Sequence, residues 1–281
     1  MTTLEMTDKR EKIALTIAGS DSSAGAGIQA DIKSAAALGV YMASVITALT
    51  AQNTVDVSMI KPTTLPMLRA QIKSIVTDLR VESVKTGMIP SAAMVTEIES
   101  CLHHYNLKKL VIDPVMISTS GATLIPKDAA SKIIEFLFPL SEIITPNMVE
   151  SSYITGVKIE TAADFDKAAE KFEPLGVKYL LLKGGHLSGH SIVDILYNLH
   201  TGSQRIFEFP NIPTKNTHGT GCSLSSAIAA SLSQGLTTEE STEVAEKFIH
   251  NAILSGKDYL YGTGHGPINH FYKLWNKKSE K

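Results

Sequence analysis

Lys109-Leu110-Val111-Ile112-Asp113 and Tyr179-Leu180-Leu181-Leu182-Lys183 are apolar almost from end to end, and each closes on a charged residue. A strand with one wet face alternates apolar and polar residues, whereas a strand covered on both faces does not. Both runs therefore read as inner strands of a parallel sheet with helices on each side. Further β-type runs at 13–18, 44–49 and 142–145 alternate with helical patterns at 65–79, 91–105, 127–138, 162–175, 219–234 and 238–250. The expectation is an α/β fold, its central sheet mostly parallel and flanked by helices on both faces. Runs at 191–197 and 205–209, separated by Asn198-Leu199-His200-Thr201-Gly202-Ser203, read as a later antiparallel hairpin.

With 281 residues, 43% of them hydrophobic, the chain is long enough to bury a large core. Apolar segments recur without a Pro/Ser-rich gap or a charge block, so 1–281 reads as a single domain with 1–12 and 277–281 as peripheral tails. The net charge of −2 offers no basic surface to nucleic acid. The apolar runs are too short to span a bilayer, and 1–12 lacks a secretory apolar stretch, so no membrane partner and a cytoplasmic protein are expected. Cys101 falls on an apolar helix face with Met94, Val95, Ile98 and Leu102 and reads as core, while Cys222 lies elsewhere.

Asn216-Thr217-His218-Gly219-Thr220-Gly221-Cys222 leads into the apolar-periodic run 224–230. The first N–H groups of a helix lack internal partners and, with the helix dipole, favour an anion. Gly219 and Gly221 let the main chain approach it, and Cys222 sits where a thiol pKa is expected to fall. Other polar residues gather at the carboxyl ends of the expected strands: Gly19-Ser20-Asp21, Asp113, Thr145-Pro146-Asn147 and Lys183-Gly184-Gly185. Open α/β sheets bind ligands at that end.

Gly25-Ala26-Gly27-Ile28-Gln29-Ala30 matches the dinucleotide fingerprint and precedes a helical pattern, but the loop from Ala18 is long and 44–52 holds no acid for a ribose. Gly256-Lys257-Asp258 fails as a Walker loop. Asp113, Asn147 and Glu150 offer hard oxygen ligands suited to Mg²⁺, although such acids also serve as helix caps. His186 with His190, and His218 with Cys222, have metal-like spacing without the further ligands that zinc needs. Cys222 also admits a nucleophilic acyl-transfer reading, which lacks a defined His partner.

Taken together, Leu15-Thr16-Ile17-Ala18-Gly19-Ser20-Asp21, Gly25 to Asp31, Ser44 to Thr54, Lys85-Thr86-Gly87-Met88, Asp113-Pro114-Val115-Met116, Thr145-Pro146-Asn147, Lys215 to Cys222 and Gly264 to His270 resemble the bacterial hydroxymethylpyrimidine and phosphomethylpyrimidine kinases of the ribokinase-like superfamily. The resemblance implies a ribokinase-like domain that uses ATP and Mg²⁺ to phosphorylate an aminopyrimidine alcohol and then its monophosphate, in thiamine biosynthesis. By the same resemblance Gln52 bonds the pyrimidine, with Gly19, Ala26, Asp31, Met88 and Val115 lining its pocket. Gly219, Thr220, Gly221 and Cys222 form the catalytic anion hole; Lys183, Asn147 and Thr217 bind nucleotide; Asp113, Asn147 and Glu150 hold the metal. A small-molecule substrate and a homodimer are implied too.

A thiolate at Cys222 would serve the alcohol step as base and matter less to the second, already ionised acceptor. Ser22, Ala24 and Met42 depart from a common Pro, Gly and Gly of the family, and Ala tolerates positive φ poorly. The rival expectation is a pyridoxal or pyridoxine kinase, whose substrate is also a small planar heterocycle carrying a primary alcohol.

Overall fold

Among the described residues, nine strands form one sheet in the order β3-β2-β1-β4-β5-β6-β7-β8-β9. The computed structural model describes residues 11–117, 124–161, 163–184 and 191–275. Gly185, His186, His190, the segment 118–123, the tail 277–281 and most of 1–12 lie outside the described residues. The strands β1 (Ile13–Asp21), β2 (Tyr41–Gln52), β4 (Val81–Thr86), β5 (Leu110–Ile112), β6 (Ser141–Ile144) and β7 (Tyr179–Lys183) are mutually parallel. Antiparallel β3 (Val57–Pro62) closes one edge, and the hairpin β8 (Ser191–Asn198) and β9 (Ser203–Pro210) extends the other.

The uninterrupted runs are covered on both faces. Leu110, Ile112, Leu180 and Leu182 join a core under α2 (Leu65–Val76), α3 (Ala92–His104), α4 (Lys127–Lys132) and α6 (Ala163–Phe172). Val111 and Leu181 point into the opposite core, under α7 (Thr220–Ser233) and α8 (Thr238–Gly256). α1 (Gly27–Ala37) packs beside α7, whose buried Ser and Ala side chains allow a close approach. The short α5 (Met148–Thr155) follows β6.

The helical pattern at 127–138 is not one helix: α4 gives way to a π-helical turn at Ile133–Leu137 and a 3₁₀ turn ending just before β6. Strands β3 and β4 were not anticipated from the sequence. β3 is exposed along its whole length, and β4 carries Ser83 and Lys85 fully buried. Their polar atoms are satisfied, Ser83 by Ala229 O and Lys85 by Asp31, so an inner strand hides behind a polar sequence.

After β1 the chain places β2 on one side and β4 on the other. Such a reversal opens a crevice at the carboxyl ends of the two diverging strands. Gly19, Asp21 and Met88 stand at that crevice.

Candidate active site

Gly219 caps α7 in the left-handed region, φ +78°, and a Cβ there would lie 1.8 Å from Gly25 O. The glycine loop after β1 and the start of α7 therefore meet backbone against backbone, which only glycine permits. Asp21 organises the β1 loop. Its carboxylate accepts the N–H groups of Ser23, Gly25 and Ala26, the Ser23 hydroxyl and a contact of 3.0 Å from His218 Nε2. Burial pushes this carboxyl up, but the His218, Ser23 and Ala26 hydrogen bonds outweigh it and hold the group well below the usual range. Ala24, with φ +62°, occupies the conformation that Ala tolerates poorly.

On the β1, β2 and β4 side, Gly19 lies so close to Met88 that a Cβ would approach Met88 Cε to 2.8 Å. Thr47 Oγ1 donates to Met88 O and fixes that loop. Gln52, at the end of β2, lies 3.2 Å from His218 Nε2. Gly19, Ala26, Met88 and Gln52 thus border one crevice with the α7 loop. Val115 follows Asp113 beyond the end of β5, its N–H donating to Asp113 O. Asp31 lies deeper: fully buried, it accepts from Thr16, Ser226 and, twice at 2.9 Å, from Lys85.

At the other end, a Cβ on Gly221 would stand 3.3 Å from Lys183 Nζ and 3.7 Å from Asp113 Oδ2. Lys183 Nζ is 3.6 Å from Asp113 Oδ1. Burial pulls the Lys183 ammonium down, and Asp113, Glu150 and Asp194 more than offset this, so the cation is retained. Asn147 and Glu150 cap α5 reciprocally, each side chain accepting the other's backbone N–H at 2.9 Å. Burial, with Asp113 close by, pushes Glu150 up to about 8, against the pull of Lys183. Thr217 O accepts the Thr220 hydroxyl, so Thr220 secures the turn. Thr217 itself is exposed.

The sequence expectation for the Cys222 thiol is corrected. Burial pushes it up to about 12; Lys85 and a bond from Gly27 pull it down, while Asp113 and Asp31 push it up. The helix terminus favours a thiolate, but desolvation beside two carboxylates wins. Burial thus biases Cys222 toward the thiol, which counts against its acting as the base expected for the alcohol step. No cluster of three or more His, Cys, Asp or Glu suited to a metal occurs among the described residues, and His218 faces Asp21 and Gln52 instead.

Sequence reasoning passed over three groups. Lys85 is buried behind Cys222 and held as an ammonium because Asp31 more than offsets the pull of burial. Asp194, on β8 opposite Lys183, accepts the Gly184 N–H at 2.8 Å and shares a hydrogen bond with buried Glu246 of α8. Burial raises both acids, Asp194 to about 6, so the pair retains a proton behind Lys183. Nothing local in the sequence links residues so far apart.

A glycine-walled helix terminus, faced by a half-buried lysine and two acids at the carboxyl ends of a sheet wrapped on both sides, suits an anion and its countercharges in one crevice. These features define a ribokinase-like small-molecule kinase. The model of the phosphomethylpyrimidine kinase family matches residues 21–269, and the chain belongs to that family. It is 42% identical to the hydroxymethylpyrimidine/phosphomethylpyrimidine kinase of Rhizobium meliloti, over 94% of this chain and 98% of that one. It is 43% identical to the chloroplastic thiamine biosynthetic bifunctional enzyme of Arabidopsis thaliana, but spans only 52% of that protein's length. Among solved structures, an ADP complex of Bacillus subtilis pyridoxal kinase superposes with a TM-score of 0.86 at 34% identity, covering 95% of this chain and 100% of that one. No described helix is long and apolar enough to cross a membrane.

Proposed function

We propose that this protein is a bifunctional kinase that transfers the γ-phosphoryl of ATP to 4-amino-5-hydroxymethyl-2-methylpyrimidine and then to the resulting monophosphate. The observation that carries the reading is the juxtaposition of two ends of one crevice. Gln52, whose amide offers both a donor and an acceptor to a heterocycle edge, lies at one end; Gly221, in the first turn of α7, stands beside Lys183 and Asp113 at the other. The similarity to the Rhizobium enzyme supports the substrate.

In the transfer, the alcohol oxygen forms a bond to phosphorus as the bond to the ADP oxygen breaks. The α7 amides take the charge that develops on the transferring group, and Lys183 accompanies the nucleotide phosphates. Cys222, as a thiol, shapes the anion hole; in a loose transition state the alcohol proton leaves late, to a phosphoryl oxygen or water. The donor set fits Mg²⁺: Glu150 is pushed up to about 8 beside Asp113, which marks a place short of positive charge. Asp113 and Glu150 would hold the ion with Asn147 nearby, and the ion would neutralise phosphate charge.

The proposal includes a domain running through 1–281, a cytoplasmic enzyme with both cysteines free, and a homodimer formed through the exposed β3 edge. The test supplies ATP and Mg²⁺ with the aminopyrimidine alcohol, its monophosphate or pyridoxine, and resolves products by mass spectrometry. The pyrimidine diphosphate is expected; pyridoxine phosphate as main product would transfer the assignment to the pyridoxal kinase reading, for which the Bacillus structure is a neighbour in fold.

A further inference from the structure

The Gln52 amide is held between two groups whose hydrogens are already committed. Thr50 Oγ1 lies 3.0 Å from Ser20 O and 3.2 Å from Gln52 Oε1. A hydroxyl has one hydrogen, and a backbone carbonyl only accepts, so that hydrogen goes to Ser20. Toward Gln52 the hydroxyl is an acceptor, and it must meet the amide nitrogen.

His218 gives the same answer from the other side. Its Nε2 is 3.0 Å from Asp21 Oδ2 and 3.2 Å from the Gln52 amide. Asp21 accepts from three backbone amides and a serine hydroxyl, so it is a carboxylate and Nε2 must carry a hydrogen toward it. That single hydrogen can at most be shared between Asp21 and the amide, and a protonated ring nitrogen accepts nothing, so only the amide oxygen can face it. Both neighbours therefore fix Gln52 with Oε1 toward His218 and Nε2 toward Thr50, an orientation set by counting hydrogens.

We propose that His218 and Thr50 lock the Gln52 amide in this one orientation and so make it a directional reader of the substrate ring, admitting an amino-substituted pyrimidine and excluding its oxo counterpart. An aminopyrimidine edge presents a ring-nitrogen acceptor beside an amino donor. In the oxo tautomer the order is reversed, a ring N–H beside a carbonyl. A freely turning amide reads either order; a fixed one reads one, and leaves buried polar groups unpaired against the other. His218 and Thr50 are positioning residues here, acting through Gln52. His218 also begins the α7 loop, so the reader of the ring is tied to the groups that receive the phosphoryl.

This inference rests on the proposed role of Gln52. The test measures kcat/KM for the aminopyrimidine alcohol and for its 4-oxo counterpart with the unaltered enzyme, His218→Phe, Thr50→Val and Gln52→Leu. Freeing the amide in His218→Phe or Thr50→Val lowers the amino-to-oxo ratio by about tenfold or more, the scale of one misread polar contact. A ratio that stays within about twofold in both variants, while Gln52→Leu loses activity on the aminopyrimidine, overturns the lock alone. Gln52→Leu with undiminished kcat/KM overturns the role of Gln52 and the lock with it. In the unaltered protein, the ¹⁵N resonance of His218 Nε2 reads as a protonated nitrogen coupled to its hydrogen; a bare nitrogen there overturns the inference without any activity measurement.

Discussion

Lys85 and Asp31 meet in the fully buried layer behind Cys222, the ammonium 2.9 Å from both carboxylate oxygens. Thr16 and Ser226 complete the shell of Asp31, tying β1, α1, β4 and α7 together. Removing one partner leaves the other charge buried and unpaired. Asp31→Asn is therefore expected to cost about 3–5 kcal/mol of stability, read from denaturant unfolding. A loss under about 1 kcal/mol would mean that water reaches Lys85 in the variant.

A protonated Cys222 cannot distinguish the two acceptors by taking a proton. Cys222→Ala is expected to lower kcat for the alcohol and for the monophosphate by similar factors, roughly tenfold, by loosening the anion hole. Loss confined to the alcohol step would restore the role of base. Alkylation of Cys222 by iodoacetamide at pH 8 should be much slower than that of a free thiol, because burial pushes the pKa up to about 12.

Buried His270, whose Nε2 lies 2.8 Å from Ser223 Oγ, has its pKa lowered from 6.5 to about 4 by burial and Lys33. A depressed pKa means that the unfolded chain takes up a proton near pH 6.5 while the folded chain does not until about 4. The stability it contributes is complete above 6.5 and lost as pH falls through that window. By pH 5.5 the loss from this group is about 1.4 kcal/mol, and His270→Gln should show a correspondingly flatter dependence in urea unfolding between pH 7.5 and 5.5.

Ala24, at φ +62°, turns a loop whose ends are held by Asp21 and His218. Ala24→Gly removes a steric cost of about 1–2 kcal/mol but adds freedom to the unfolded chain, and the net gain should be a few tenths to 1 kcal/mol. Thermal unfolding of the variant should shift upward. A downward shift would show that the left-handed turn is not strained.

Val57, Met59 and Ile60 leave the β3 edge apolar and open, a surface that invites pairing. Met59→Lys with Ile60→Glu should convert the proposed dimer to a monomer by light scattering, with the unfolding midpoint little changed. A monomeric parent protein would remove the proposal.

The inner strands at 110–112 and 179–183 were legible because burial on both faces leaves an unbroken apolar run, and the start of α7 because a glycine-rich turn precedes an apolar-periodic run there. β4 was hidden by Lys85, whose partner lies 54 residues away. The Cys222 pKa was misjudged because helix position can be read locally, whereas burial and the approach of Asp113 and Asp31 are set by distant segments. Asn147 and Glu150 were readable as a cap from spacing alone; their closeness to Lys183 arises from β6 and β7 lying side by side.

The contact of Gly219 with Gly25 O leaves no space in which a side chain can be varied. Sequence change along the lineage is therefore denied the seam between the acceptor and phosphoryl ends, and new substrates must be won at the rim, through residues such as Gln52, Thr50 and Met88. A search for altered specificity should randomise those positions and leave both glycine loops untouched.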